Sequence, residues 1–327
     1  MNMPLAPNAA LADRLTVAPE VRRALGTGAP VVALESTLIS HGLPYPSNIE
    51  VARASEAAVR ESGAIPATIA IRDGRFLVGL DDDALQELAT APAGSVLKAA
   101  RPNLAIALAR PGWSATTVSA TMIAAYAAGI RVFATGGIGG VHRGALGEPG
   151  SRLSPTLDIS SDLEALARTP MVVVCAGPKA ILDVPKTLEY LETHGVPVVA
   201  VGQEELPGFI ARSSGLRAPA SVGDVMDAAD LAAIHLGLGL GSGILVCVPV
   251  PAEDALPDAV VRDLVERAAA DADAAGIHGP AVTPWLLARI ATLSDGASVR
   301  ANTALIVNDA RQAGLIAARL AGGASHP

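Results

Sequence analysis

Thr135-Gly136-Gly137-Ile138-Gly139-Gly140-Val141-His142-Arg143-Gly144, then Asp158-Ile159-Ser160-Ser161-Asp162, then Val172-Val173-Val174-Cys175-Ala176-Gly177-Pro178-Lys179: these three pieces decide how the chain is read. The last is an apolar run of β-branched residues stopped by Gly-Pro, the pattern of a buried strand in a parallel sheet. It presents a single lysine at the sheet's carboxyl edge, where open α/β folds bind ligands. Lysine is rarely buried without a partner. Lys179 is therefore either a site residue or a rim charge snorkelling to water.

Outward from this centre, strands alternate with helices. Pro30 to Leu34 reads as a strand ending in Glu35-Ser36-Thr37, and Ser47 with Glu50 as a capping box. Asp73-Gly74 between two apolar runs signals a hairpin. Ser95 to Lys98 is extended, and Thr116-Thr117-Val118 enters a buried helix. Ile130 to Ala134 leads into the glycine turn. Ala180 to Gly195 reads as a helix, Pro197 to Val201 and Ile244 to Pro249 as strands, and helices dominate from Ala259 onward. The alternation predicts an α/β layered fold whose sheet is mostly parallel, mixed by the hairpin. Residues 1–18 are expected to be a poorly ordered tail ahead of one domain over 19–327.

The 327 residues are 50% hydrophobic but only 2% aromatic, so Ala, Val, Leu and Ile must build the core. A net charge of -8 without a basic patch argues against a nucleic-acid polymer as partner, though not against a single phosphate. Cys175 and Cys247 have no metal-type spacing and read as small core residues in a reducing cytoplasm. The Ala/Pro/Asn-rich start lacks the pattern of a signal peptide. The uncharged stretches Trp113 to Ile130 and Leu236 to Ala252 are rich in small residues or in Gly and Pro. They read as buried elements and not as membrane spans. A strict G-x-G-x-x-G fails at both glycine clusters, because His142 and Ile244 stand where the third glycine belongs. P-loop, H-E-x-x-H and G-x-S-x-G motifs are absent.

Several residues carry candidate chemistry. Ser161 and Glu164 form an S-x-x-E box opening a helix, whose free amides suit a phosphate as well as an ordinary cap. Asp158 and Asp162, four apart, are two oxygen donors for a hard cation such as Mg²⁺ or Mn²⁺, or a solvated acidic face. Glu35 ends an apolar strand, where a dry setting favours a proton donor; the alternative is a carboxylate capping nearby amides. Lys98 is a phosphate partner or a surface lysine. His142 is a second donor or a core histidine with satisfied hydrogen bonds.

Taken together the motifs resemble the pseudouridine-5′-phosphate glycosidase family, also called the indigoidine synthase A-like family. The matching pieces are Val31 to Thr37 with Ser40-His41-Gly42, Pro66 to Ala70, Phe133 to Ala145, Asp158 to Ser160 with Asp162-Leu163, Val173 to Gly177 with Lys179, Leu191 to Thr193 with Gly195 to Pro197, and Thr283-Pro284 with Leu286-Leu287. The resemblance implies a three-layer α/β/α fold, a homotrimer, a Mn²⁺ requirement, and reversible cleavage of pseudouridine 5′-phosphate to uracil and ribose 5-phosphate. It places the proton donor on Glu35 and a Schiff-base lysine on Lys179. Substrate contacts fall on Lys98, Val118 and Ser160-Ser161-Asp162, and the metal carboxylate on Asp158. His142 and Asn302 match positions lining the pocket. The chain departs from the family pattern in a longer Leu146 to Pro155 stretch, in Val248-Pro249-Val250-Pro251, and in Gly279-Pro280-Ala281. Two other readings share parts of this site. A Schiff-base aldolase on another sugar phosphate would keep the lysine and phosphate groups but need no uracil pocket. A non-catalytic phosphosugar-binding regulator would not need Glu35 beside Lys179.

Overall fold

The computed structural model describes residues 9–147, 155–277 and 282–323. Most of the Leu146 to Pro155 stretch, and Gly279-Pro280-Ala281, lie outside the described residues. The first half of the chain runs α1 (Ala9–Ala12), β1 (Leu15–Val17), α2 (Pro19–Thr27), β2 (Val31–Leu34), α3 (Ser47–Glu61), β3 (Ile65–Arg72), β4 (Arg75–Val78), α4 (Asp82–Ala89), β5 (Leu97–Ala99), α5 (Leu104–Ala109), β6 (Trp113–Thr116), α6 (Val118–Ala128) and β7 (Val132–Ala134). The second runs α7 (Ser161–Arg168), β8 (Val172–Cys175), α8 (Val184–Thr193), β9 (Val198–Val201), β10 (Ala220–Val222), α9 (Val225–Gly237), β11 (Ile244–Cys247), α10 (Asp258–Ala274), α11 (Val282–Leu293) and α12 (Ala297–Gly323).

The strands form one mixed, mostly parallel sheet in the order β1-β4-β3-β2-β7-β8-β11-β9-β10, with β6 joining β3 and β5 joining β6. Among the strands of the described residues, β3 pairs antiparallel with β4 and with β6, and the other pairings are parallel. Its centre is apolar on both faces, as a sheet covered by helices requires. Along β8 the alternate residues Val173 and Cys175 face one core, with α2, α6 and α7. Val172 and Val174 face the other, with α3, α9 and α12. A third cluster, built from α10, α11 and the start of α12, packs over the carboxyl end of β8 around Ala176, Ile181 and Phe209.

The long strand β3 positions the site. Its first half pairs β2 in parallel, from Val31 opposite Ile65 to Leu34 opposite Thr68. Its second half pairs β6, which arrives from the opposite direction. The carboxyl ends of β2 and β6 therefore meet head to head. There the Ser36 amide donates to the Thr116 carbonyl at 3.3 Å, and the Thr116 amide to Ser36 Oγ at 2.9 Å. The turn expected at Asp73-Gly74 is present, with both residues at positive φ (49° and 78°), the twist that a two-residue hairpin demands.

Four local expectations need correction. The supposed tail is structured from Ala9: the β-prone Leu15-Thr16-Val17 adds an edge strand parallel to β4, held by Arg75, which donates to Thr16 Oγ1 and the Leu15 carbonyl. Ser47 makes no cap, because the helix already includes it and Pro46 precedes it. The helix after Lys179 begins at Val184 and not at Ala180. Asp183 accepts the Lys186 amide, and Pro185 suits a first helical turn. Ser160, one residue before the expected Ser161, caps α7 by accepting the Asp162 amide, while Glu164 pairs instead with Arg168. Glu164 thus pairs with the residue four positions later on the same helix face.

Buried Asp309 on α12 has no hydrogen-bond partner for either carboxylate oxygen among the described residues; the Ala176 amide approaches outside hydrogen-bond geometry. Burial pushes its pKa well above the usual 3.8, with the neighbouring Cys175 adding to the effect. A carboxyl that keeps its proton when folded but loses it when unfolded costs stability as pH rises above the unfolded value. Asp309→Asn is therefore expected to raise stability at pH 7. The gain should shrink toward zero as pH falls to about 4, measured by urea denaturation across that range.

Candidate active site at the carboxyl edge of the sheet

The glycine turn after β7 runs beside the segment after β8 and prolongs their pairing beyond the sheet. Ala176 N–H donates to the Gly136 carbonyl, Ile138 N–H to Gly177, and Lys179 N–H to Ile138. Such closeness leaves no room for side chains. A Cβ on Gly137 would lie 2.8 Å from the Phe209 ring, and one on Gly139 2.6 Å from Ser160 Cβ. Gly177 takes φ 92°, a left-handed conformation that suits glycine and turns the chain toward Lys179.

Lys179 Nζ donates to the Gly137 carbonyl at 2.6 Å, and the residue is half-buried. Glu35, at the end of β2, accepts the Thr37 hydroxyl on Oε2 and the Thr135 hydroxyl on Oε1. Both residues line one cavity of about 810 Å³, together with Lys98, His41, Phe209 and Asn302. Helix α11 forms much of the apolar far wall through Leu287, Ile290 and neighbours. That size and an apolar lining with few convergent polar groups are typical of small-molecule sites.

The Lys98 side chain is exposed to water at the cavity wall, with protein close around part of it. Burial lowers its pKa from that of an ordinary lysine. The Lys179 charge adds to this, while Glu35 and Asp162 partly oppose it. His41 is lowered likewise, first by burial and then by Lys98. The direction at Lys98 gives a pH prediction. A phosphate-binding ammonium with a depressed pKa loses its proton, and its grip, at a lower pH than an exposed lysine would. Lys98→Met should raise KM for a phosphorylated substrate about tenfold or more at pH 7 and flatten the alkaline decline of kcat/KM, read from initial rates across pH.

Next to Lys98 the amino ends of α6 and α7 converge. Asp162 accepts the Ser119 amide at 3.0 Å on one oxygen and the Gly139 amide at 2.9 Å on the other. Ser161 Oγ lies 3.1 Å from Ser119 Oγ, and buried Val118 opens α6. Asp162 thus ties the glycine turn, α6 and α7 together. With both oxygens taken by amides it is no partner to Asp158 in holding a cation.

His142 and Asp158 are not in the cavity of Glu35 and Lys179. They line a larger one of about 1270 Å³ on the far side of the Ala180-Ile181 segment, which borders both. The chemistry-bearing trio of Glu35, Lys98 and Lys179 lies in the smaller cavity. His142 Nδ1 is 3.8 Å from Asp158 Oδ2, and the Asp158 carbonyl accepts the His142 amide at 3.0 Å. Among the described residues no group of three or more His, Cys, Asp or Glu could hold a metal ion. Asp158 offers a carboxylate to a hard cation, and a metal held there would complete its shell with oxygen ligands such as water, as Mn²⁺ or Mg²⁺ does.

Sequence reasoning gave no role to Thr37, Thr135 or the Gly137 carbonyl. The two threonines flank quoted motifs, but nothing in their spacing shows that both hydroxyls end on one carboxylate. Among the described residues no helix is long and apolar enough to cross a membrane.

Residues 20–319 match the family described as indigoidine synthase A like protein. A pseudouridine-5′-phosphate glycosidase of Paracoccus denitrificans is 53% identical over 307 residues, covering 94% of this chain and 98% of its own. One from Solibacter usitatus is 53% identical over 306 residues, covering 94% and 99%. Among solved structures, the prealnumycin C-glycosynthase AlnA in complex with ribulose 5-phosphate is similar with a TM-score of 0.85 and 38% identity, covering 95% and 98%. An indigoidine synthase A-like protein from Thermotoga maritima follows with a TM-score of 0.81 and 32% identity, covering 94% and 96%. The chain belongs to the indigoidine synthase A-like family.

Proposed function

We propose that this chain is a pseudouridine-5′-phosphate glycosidase, which reversibly cleaves the C–C glycosidic bond to give uracil and ribose 5-phosphate through a lysine Schiff base. The observation that carries the reading is the meeting of Glu35, Lys98 and Lys179 in one largely apolar cavity at the strand ends. The full-length likeness to glycosidases of that name supports it.

A C-glycoside has no leaving oxygen or nitrogen, so the two-carboxylate scheme of ordinary glycosidases does not suffice. Glu35 gives its proton to the ribose ring oxygen, and the ring opens as Lys179 Nζ bonds to the anomeric carbon. The nitrogen lone pair then forms an imine while the C–C bond breaks. Uracil takes the electron pair and a proton at carbon, and water hydrolyses the imine to ribose 5-phosphate and free amine. Attack needs the neutral amine of Lys179. Lys98 and the amino ends of α6 and α7, at Val118 and Ser160 to Asp162, hold the phosphate. This remote binding fixes the sugar over the amine. Asn302 faces the base. Asp158, beside His142, would hold Mn²⁺ in the neighbouring cavity, where the ion would supply a Lewis acid. A homotrimer in the cytoplasm completes the reading.

The test is release of uracil from pseudouridine 5′-phosphate, with and without added Mn²⁺. Release that depends on Mn²⁺ supports the whole reading. Cleavage of other sugar phosphates without uracil release would favour an aldolase, and binding without turnover a regulator.

A further inference from the structure

Cys175 and Cys247, far apart in sequence, stand directly opposite each other at the carboxyl ends of β8 and β11. Both are fully buried free thiols and belong to the same packed core. Register partners on neighbouring strands have Cα atoms about 4.8 Å apart. That lies inside the window of roughly 4.4–6.8 Å that a disulfide requires. Side chains of such a pair leave the sheet on one face, and here both thiols enter the same core.

Cys175 also anchors the turn that carries the lysine. The Gly177 amide donates to Cys175 Sγ at 3.3 Å, and Sγ lies 3.7 Å from the Gly177 carbonyl. Two residues later Lys179 reaches back to the Gly137 carbonyl. Any change at this sulfur is felt at Gly177, where the φ of 92° sets the direction of the chain toward the amine.

We propose that Cys175 and Cys247 are a redox-sensitive thiol pair, which closes to an intramolecular disulfide, frees Gly177 from the Cys175 sulfur and displaces Lys179 from its working position. The oxidant is a hydroperoxide or a small disulfide. With hydrogen peroxide, the Cys175 thiolate attacks one oxygen and becomes a sulfenic acid, and the departing hydroxide takes up the thiol proton as water. The Cys247 sulfur then attacks the sulfenic sulfur, forming S–S and releasing a second water. Two thiols lose two electrons and peroxide gains them; a dithiol reverses the change. Burial alone would push the Cys175 thiol up. The Cys247 donor, the Gly177 and Ile138 amides and the Lys179 charge outweigh it and bring the thiol below its ordinary range. Cys247 is pushed well up, first because its proton is held against Cys175 and then by burial. The Gly177 amide donating to Cys175 Sγ favours the thiolate there, which makes Cys175 the attacking sulfur and Cys247 the resolving one.

The cross-link is independent of the activity proposed above; only its effect on turnover rests on that reading. The experiment treats the full chain with hydrogen peroxide or diamide, alkylates it under denaturing conditions, and reads both intact mass and peptide map beside uracil release. The expected result is loss of both alkylatable thiols, one peptide pair joined through Cys175 and Cys247, and at least a tenfold fall in uracil release that dithiothreitol restores. Cys247→Ala should resist the same oxidant, and Cys175→Ala provides a second variant should the first fail to fold. Two thiols still alkylatable after oxidation would overturn the proposal, as would equal inactivation of Cys247→Ala. A protein that releases no uracil before oxidation would remove the glycosidase reading yet leave the mass measurement able to decide the disulfide.

Discussion

Lys179→Ala should lower uracil release from pseudouridine 5′-phosphate by at least about a thousandfold, while binding of the substrate changes by less than about tenfold. The difference follows from where each contact sits. Lys179 is held by the Gly137 carbonyl inside the cavity, and the other lysine lining it, Lys98, is carried by a different segment, β5. The phosphate-holding groups stay, because the amino ends of α6 and α7 are fixed by Asp162 and the serines, not by Lys179. An interaction made only in the reaction lowers kcat and leaves ground-state binding intact. Isothermal titration of the variant beside steady-state rates checks both halves. Wild-type turnover in Lys179→Ala would remove the lysine from the mechanism.

Glu35→Gln should cost about 10²- to 10⁴-fold in kcat, the usual range for a general acid, with little change in fold or KM. Glutamine keeps the shape: its oxygen can accept one of the two threonine hydroxyls that hold Glu35, and its NH2 can donate to the oxygen of the other. It has no acidic proton for the ring oxygen. The two threonines are separately testable as positioning residues. Thr135→Val removes one hydroxyl from Glu35 and is expected to lower kcat less than Glu35→Gln does. A Glu35→Gln enzyme within a few-fold of wild type would leave ring opening to another group.

The layered α/β fold was legible because its signals are local. The runs Val31–Leu34, Val172–Cys175 and Ile244–Cys247 are short, β-branched and bounded by turn residues, and Asp73-Gly74 dictates its own hairpin. Helix starts were read less well because competing caps are one to four residues apart. Ser160 outcompetes Ser161, and Asp183 with Pro185 delays α8 past the lysine. The edge strand at Leu15–Val17 lay in a stretch whose composition hides it, since its partner β4 is distant in sequence.

The site was half legible. Strand ends naturally gather Glu35 and Lys179, and the cavity does contain both together with Lys98 and Asn302. Spacing also linked Asp158 with Asp162, and this the fold does not support. Asp162 turns inward to two amides from other segments, whereas Asp158 faces the neighbouring cavity with His142. The hydroxyls on Glu35 and the pairing of Cys175 with Cys247 depend on strand order, which residue patterns do not reveal.

Borohydride trapping tests the covalent amine most directly. The enzyme is incubated with ribose 5-phosphate, or with pseudouridine 5′-phosphate, reduced, digested and analysed by mass spectrometry. The peptide containing Lys179 is expected to gain the mass of a reduced sugar phosphate, and Lys179→Ala to yield no such adduct. An active enzyme that gives no adduct at Lys179, or an adduct on Lys98 alone, would contradict the covalent role of Lys179.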